Sequence, residues 1–257
     1  MTRLSLTFEC QGATLAGTLD TAPGKTGLLI VTGGNEVRAG AFSGQSKLAS
    51  AISSAGFPVF RFDRRGIGDS DGENRGFRKA EKDILAAVEA FRAMCPQMDR
   101  VVAFGNCDAA SALMLTNGRQ CDALILANPW TIEDSQDGIA PEVARSRYAE
   151  KLKSPAELLR LLSGKVSLRK LVAGLKQAVK PSTPPSSLAS EMRLGLDAFG
   201  KPAIILLAGA DRTAQTFAAN WTTDTYEIRR CEKAGHAFVE PHADEWLRAQ
   251  ILQMLRA

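Results

Sequence analysis

The chain has 257 residues, of which 45% are hydrophobic and 23% charged, with a formal net charge of +4. Such a chain can bury a sizeable core without covalent staples, and its length fits one large domain or two small ones. Two histidines, His236 and His242, exclude a three-histidine metal centre within the chain and limit any histidine base to these two. The five cysteines (Cys10, Cys95, Cys107, Cys121, Cys231) form no C-x-x-C pair and no zinc spacing, so free thiols in a reducing compartment are expected.

Arg3 to Glu9 and Ala13 to Thr18 read as two short strands around the Gln11-Gly12 turn. Gly27 to Val31 is a continuous apolar run, the mark of a strand buried on both faces, and Gly33-Gly34-Asn35 ends it. Ser46 to Ala55 is helical in pattern and stops at Gly56. Pro58 to Asp63 is the next strand, followed by the Gly/Asp-rich loop Arg65 to Gly72. Phe77 to Met94 has the spacing of a long amphipathic helix, with Ile84, Leu85, Val88 and Phe91 on its apolar face. A strand at Arg100–Gly105, a helix at Ala109–Leu115 and a strand at Ala123–Ala127 follow.

Beyond Trp130 the strand pattern stops until about Ser190. Helical stretches are expected around Pro141–Lys153, Pro155–Leu162 and Leu168–Val179, closed by the linker Pro181-Ser-Thr-Pro-Pro-Ser-Ser187. A strand at Ala203–Leu207, a helix near Thr213–Trp221, a strand at Asp224–Arg230 and a last helix at Pro241–Leu255 complete the chain. This alternation predicts an α/β fold: a mostly parallel sheet with helices on both faces. The expected core is residues 1–129 and 191–257, with residues 130–190 as an inserted helical cap. No apolar run approaches the ~20 residues needed to span a bilayer, and the first ten residues have no apolar signal core. A cytoplasmic protein is expected.

Charge is uneven. Pro141 to Lys180 holds ten Lys/Arg against three Glu, a net of +7, which leaves −3 for the remainder. Alternation of these cations with leucines fits a solvated amphipathic face. It also fits a docking surface for an acidic partner such as an acyl carrier, an anionic glycan or a membrane face. Tyr148 is the single aromatic in the stretch, so nucleic-acid binding is not expected.

Ligands of open parallel sheets bind beyond the carboxyl ends of the strands. Three such ends carry chemistry. Gly105-Asn-Cys107-Asp-Ala109 sits between a strand and a helix, as in a G-x-S-x-G nucleophile elbow with Cys for Ser and Ala109 for the second glycine. A helix N-terminus favours a thiolate there, although a buried structural cysteine has the same local sequence. Asp211 follows the strand at Ala203–Leu207 and suits either an orienting acid or the N-cap of the next helix. His236 lies on a Gly-containing loop after the last strand, whereas His242 lies just inside the final helix. Asp108 and Ser111 flank the nucleophile position. An acid there steadies a helix start but disfavours a thiolate, so its carboxylate is expected to point away. Ser111 is expected to pack or bond within the helix. Gly66-x-Gly68 lacks the third glycine and the lysine of nucleotide loops, so it reads as a turn shaped by Asp63 and Ser70.

Nucleophile, acid and histidine, in that order, characterise the α/β-hydrolase arrangement. The chain closely resembles the exosortase A system-associated hydrolases, type 1. The likeness runs through Gly33-Gly-Asn-Glu-Val-Arg-Ala-Gly40, Arg61-Phe-Asp-Arg-Arg-Gly-Ile-Gly-Asp-Ser-Asp-Gly72 and Gly105-Asn-Cys-Asp-Ala-Ala-Ser111. It continues through Asn128-Pro-Trp130, Leu161-Leu-Ser-Gly-Lys165 and Gly209-Ala-Asp-Arg-Thr213. The resemblance implies a hydrolase with a cysteine nucleophile, similar in that respect to dienelactone hydrolase, in a setting of exopolysaccharide production and PEP-CTERM protein sorting.

The expected activity is hydrolysis of an ester or thioester through an acyl-enzyme on Cys107, with His236 as base and Asp211 holding it. The substrate is a small-molecule or carrier-bound acyl group. The oxyanion donors are expected from the backbone of Gly34 or Asn35 and of Asp108, with Gly33 and Trp130 lining the substrate site. No metal or organic cofactor is required. Acyl transfer to an alcohol or amine, or ligand binding without catalysis, are the alternatives.

Overall fold

Apolar strand runs separated by amphipathic helices close into one eight-stranded sheet. The computed structural model describes residues 2–132, 187–221 and 225–257. The strands are β1 (Arg3–Cys10), β2 (Ala13–Asp20), β3 (Thr26–Val31), β4 (Val59–Phe62), β5 (Arg100–Asn106), β6 (Ala123–Ala127), β7 (Ala203–Ala208) and β8 (Glu227–Cys231). Their spatial order is β1-β2-β4-β3-β5-β6-β7-β8. β1 and β2 form an antiparallel hairpin, β2 runs antiparallel to β4, and β4 through β8 are mutually parallel. The expected mostly parallel α/β sheet is therefore what the chain builds.

The described helices are α1 (Gly44–Ser54), α2 (Glu81–Met94), α3 (Asp108–Leu115), α4 (Ser187–Phe199), α5 (Arg212–Asn220) and α6 (Pro241–Arg256). Helices α1 and α6 pack through Leu48, Ile52, Leu247 and Ile251 on one face of the sheet. Helices α2 to α5 pack on the other face, through residues such as Phe91, Leu113, Met192 and Phe217. Burying each such side chain contributes on the order of 1.5–3 kcal/mol, which fixes both layers against the sheet.

Two elements differ from the sequence reading. Phe77 to Met94 is not one helix: a short 3-10 turn at Phe77–Lys79 precedes α2, which starts at Glu81. Asp83, in the first turn of α2, is buried in an ion pair with Arg65 at 3.0 Å, and this contact fixes where the helix begins. Helix α4 was not expected. Leu188, Met192, Leu196 and Phe199 repeat at three- and four-residue spacing and seal it onto the core beside α3, so the core resumes by Ser187 rather than at 191. The expected cap helices and the basic stretch from Pro141 to Lys180 lie outside the described residues. No described helix is long and apolar enough to cross a membrane.

The strand order reverses at β3 and β5, which are hydrogen-bonded neighbours with Val31 opposite Gly105. The chain leaves β3 towards α1 on one face and leaves β5 into α3 on the other. Their separation opens a crevice at the carboxyl ends, where this kind of sheet binds its ligands.

Candidate active site

The turn after β5 is built by close approach. A Cβ at Gly105 would lie 2.7 Å from the Ala109 carbonyl carbon and 2.8 Å from the Ala110 nitrogen, so only glycine lets α3 start this near the strand. Cys107 adopts φ 63°, ψ −128°, a conformation rare for a residue with a side chain. Hydrogen bonds overdetermine it: its N–H donates to Ala127 O at 2.9 Å, and its carbonyl accepts from Ala110 at 3.1 Å and Ser111 at 3.3 Å. The strain turns the thiol out at the start of a helix. All five cysteines are free, and Cys107 alone among them is half-exposed. Burial pushes the thiols of Cys10, Cys95 and Cys231 up, and that of Cys121 to about 12.

Asp211 does two jobs. It is the N-cap of α5, accepting from Ala214 N–H at 3.0 Å, and its Oδ2 lies 3.0 Å from His236 Nδ1. Burial works to raise its pKa, yet the hydrogen bonds from His236, Ala214 and Thr213 outweigh burial and hold the carboxyl below its usual range. The interactions of the His236 ring with Asp211 first, and with the Cys107 thiol second, raise its pKa to about 10 against the effect of burial. The structure thus brings Cys107, His236 and Asp211 together at the ends of β5, β8 and β7. His242 is not part of it; its Nε2 bonds Glu232 O at 3.1 Å.

Two asparagines that sequence reasoning gave no role fix the histidine loop. The His236 carbonyl accepts from Asn106 Nδ2 at 3.0 Å and Asn128 Nδ2 at 3.1 Å. Asn128 Nδ2 also reaches Asn106 Oδ1 at 2.9 Å, and Asn128 Oδ1 accepts from Ala208 N–H at 2.8 Å. One fully buried amide therefore ties the ends of β5, β6 and β7 to the loop carrying His236. The available signal was an asparagine directly after each of two apolar strand runs. Ser111 also does more than bond within its helix: its hydroxyl bonds both the N–H and the carbonyl of Trp130, each at 2.8 Å. Trp130 is half-buried and packs against the core at the head of α3.

The turn after β3 departs from expectation. Gly34 N–H, a candidate oxyanion donor, is not open: it donates to Asp108 Oδ1 at 2.6 Å. The physical reason is the tight seating of the glycine turn on α3. A Cβ at Gly33 would lie 2.7 Å from Asn106 O and 2.8 Å from Asp108 Oδ1, so the carboxylate meets the neighbouring amide directly. Arg64 completes the arrangement, with its Nη2 donating to Gly34 O and lying 3.8 Å from Asp108 Oδ2. Asp108 thus turns to the Gly34 turn and Arg64. The Asn35 N–H has no hydrogen-bond partner among the described residues, and the Asp108 amide, first in its helix, has no intrahelical acceptor. The loop after β4 is a structural turn: Asp63 accepts from the N–H groups of Arg38 and Asp69, and Ser70 Oγ donates to Asp63 O at 2.7 Å.

A model of the alpha/beta hydrolase family matches residues 28–249. The chain belongs to the alpha/beta hydrolase family. Its fold is similar to the alpha/beta hydrolase GrgF from Penicillium sp. sh18, with a TM-score of 0.67 and 18% identity over 100% of this chain and 98% of that one. It is similar also to the Pyrococcus furiosus esterase Pf2001, with a TM-score of 0.64 and 14% identity over 99% and 92%. A third similar fold is Est1E from Butyrivibrio proteoclasticus, solved with ferulic acid bound, with a TM-score of 0.60 and 16% identity over 98% and 100%. No curated protein matches the sequence. Family and neighbours together show the alpha/beta hydrolase fold.

Proposed function

We propose that the protein is an acyl hydrolase that cleaves an ester or thioester through an acyl-enzyme on Cys107. The observation that carries this reading is His236 standing between Asp211, 3.0 Å from its Nδ1, and the Cys107 thiol. With Nδ1 on the carboxylate, Nε2 is left for sulfur. A base beside a thiol takes its proton as sulfur attacks, so His236 is placed to activate the nucleophile.

The thiolate attacks the acyl carbonyl, and the oxyanion accepts hydrogen bonds from the amides of Asp108 and Asn35. As the tetrahedral adduct collapses, His236 gives its proton to the departing alkoxide or thiolate. Acylation then removes one of the two hydrogen bonds that raise the pKa of His236. The imidazole, neutral after giving up its proton and no longer held protonated by that bond, is free to take a proton from water, whose attack releases the carboxylic acid and returns the thiol. The family resemblance supports a setting in exopolysaccharide production, and the free thiols support a cytoplasmic location.

Incubation with p-nitrophenyl acetate followed by intact mass spectrometry tests the reading. One acetyl adduct is expected, mapped to Cys107, absent in Cys107→Ala and formed much more slowly in His236→Ala with an unchanged circular dichroism spectrum. An unreactive Cys107, or acylation indifferent to His236, would overturn it. A second reading, ligand binding without turnover, is favoured by the engagement of Gly34 N–H with Asp108. Under that reading the adduct forms but never hydrolyses.

A further inference from the structure

A cavity of about 200 Å³ opens between the loop after β4 and the start of α2, away from the Cys107–His236 pair. It is lined by Arg64 and Arg65, both about nine-tenths or more buried, and each has a buried Nε–H with no hydrogen-bond partner among the described residues. Unpartnered buried donors are costly, and fully charged ones more so. Arg75, Lys79 and Lys82 stand around the mouth and have no ion-pair partner among the described residues. Two acids line the same cavity: Asp83, already paired with Arg65 at 3.0 Å, and the exposed Glu73. Five cations thus face two carboxylates.

The other cavity rich in arginine makes a useful contrast. It is lined by Arg3, Arg38 and Arg61; Arg61 too has a buried Nε–H without a hydrogen-bond partner among the described residues, but each of the three is paired with Asp20, Asp63 or Asp69. Its charge is balanced from within, whereas in the first cavity Arg65 meets Asp83 and Arg64 lies 3.8 Å from Asp108 beyond the lining, while Arg75, Lys79 and Lys82 have no ion-pair partner among the described residues.

We propose that the cavity over Arg64 and Arg65 is a binding site for a phosphoryl group. A dianion with several acceptor oxygens answers the charge excess and suits guanidinium forks backed by mobile ammonium groups. The volume admits a small tetrahedral anion. Arg64 gives the site its functional interest, because its Nη2 also bonds Gly34 O and faces Asp108 in the turn beside Cys107. A bound phosphoryl group therefore touches the same arginine that props the oxyanion turn.

The inference does not rest on the acyl-hydrolase reading, and its test does not use Cys107. Isothermal titration with inorganic phosphate, at ionic strength held constant with chloride, should give saturable one-to-one binding. In the triple variant Arg75→Gln, Lys79→Gln, Lys82→Gln, whose sites are all exposed, affinity should fall by about tenfold or more as charge-assisted contacts are lost. Equal affinity in the folded triple variant, or no saturable binding to the native protein, overturns the proposal. Methyl phosphate provides the second arm. Binding as tight as that of inorganic phosphate means that the group arrives attached to a larger molecule, and much weaker binding means that the free ion is the ligand.

Discussion

The two sides of the candidate site are built from the same parts, loops at neighbouring strand ends, yet they are finished differently. On the acid–base side, Asp211, His236, Asn106 and Asn128 converge so that each polar group serves the histidine. On the proposed oxyanion side, a local carboxylate, Asp108, accepts from the Gly34 amide, and Arg64 lies 3.8 Å from it. Glycines at a strand end create room for an oxyanion, but the neighbouring side chains decide whether the donors in that room are free.

The comparison is broken most severely by removing the nucleophile. Cys107→Ala should lower acyl transfer by about 10³-fold or more, read as release of p-nitrophenol, because no other described thiol is exposed. His236→Ala should cost on the order of 10²–10⁴-fold, the usual range for a lost acid–base group. Alkylation of Cys107 by iodoacetamide near neutral pH should slow in parallel.

Asp211 can be taken apart by its two roles. Asparagine is a good N-cap, so Asp211→Asn should keep α5 while removing the charge that holds His236 protonated, and the histidine pKa should fall from about 10. Asp211→Ala should also lose about 1 kcal/mol of stability with the cap. The sign is definite. A histidine whose folded pKa is raised stabilises the native state below its unfolded pKa and loses that contribution as pH rises through the folded value. The Tm difference between native protein and His236→Gln should therefore be widest below about pH 6.5 and close by about pH 10.

Asn128→Ala should cost about 1–3 kcal/mol, since it leaves the Ala208 N–H and part of the His236 carbonyl unanswered. A urea titration measures that loss, and kcat should fall more than KM changes. The smallest effect is expected on the oxyanion side. Asp108→Ala frees Gly34 N–H and removes a negative charge from beside the developing oxyanion, so acylation should rise by roughly threefold to tenfold. Asp108→Asn keeps an acceptor for Gly34 and should gain less. A fall in both variants would mean that Asp108 is needed to hold the turn.

Much of this was legible. Continuous apolar runs marked β3, β5, β6 and β7 because strands buried on both faces tolerate little else. The candidate triad was legible because Cys107 and Asp211 lie just beyond such runs and His236 lies beyond the last expected strand. Helix α4 was missed although Leu188, Met192, Leu196 and Phe199 carry helical spacing. The proline-rich linker ahead of it had drawn the boundary too late. Asn106 and Asn128 were passed over because an asparagine at a strand end usually makes a turn, and their partner, the His236 carbonyl, lies 130 and 108 residues away.

The sequence by itself determined the alternation of elements, and with it the sheet and the strand ends where chemistry could sit. Local periodicity and small residues at tight turns are properties of neighbouring residues, so they can be read along the chain. Only the tertiary structure decided which polar groups meet: that Asp211 both caps a helix and holds His236, that Asp108 closes over Gly34, and that Arg64 and Arg65 face a cavity with unanswered charge. Those pairings depend on the direction of donors and acceptors brought together across the sheet, and a linear pattern does not carry that direction.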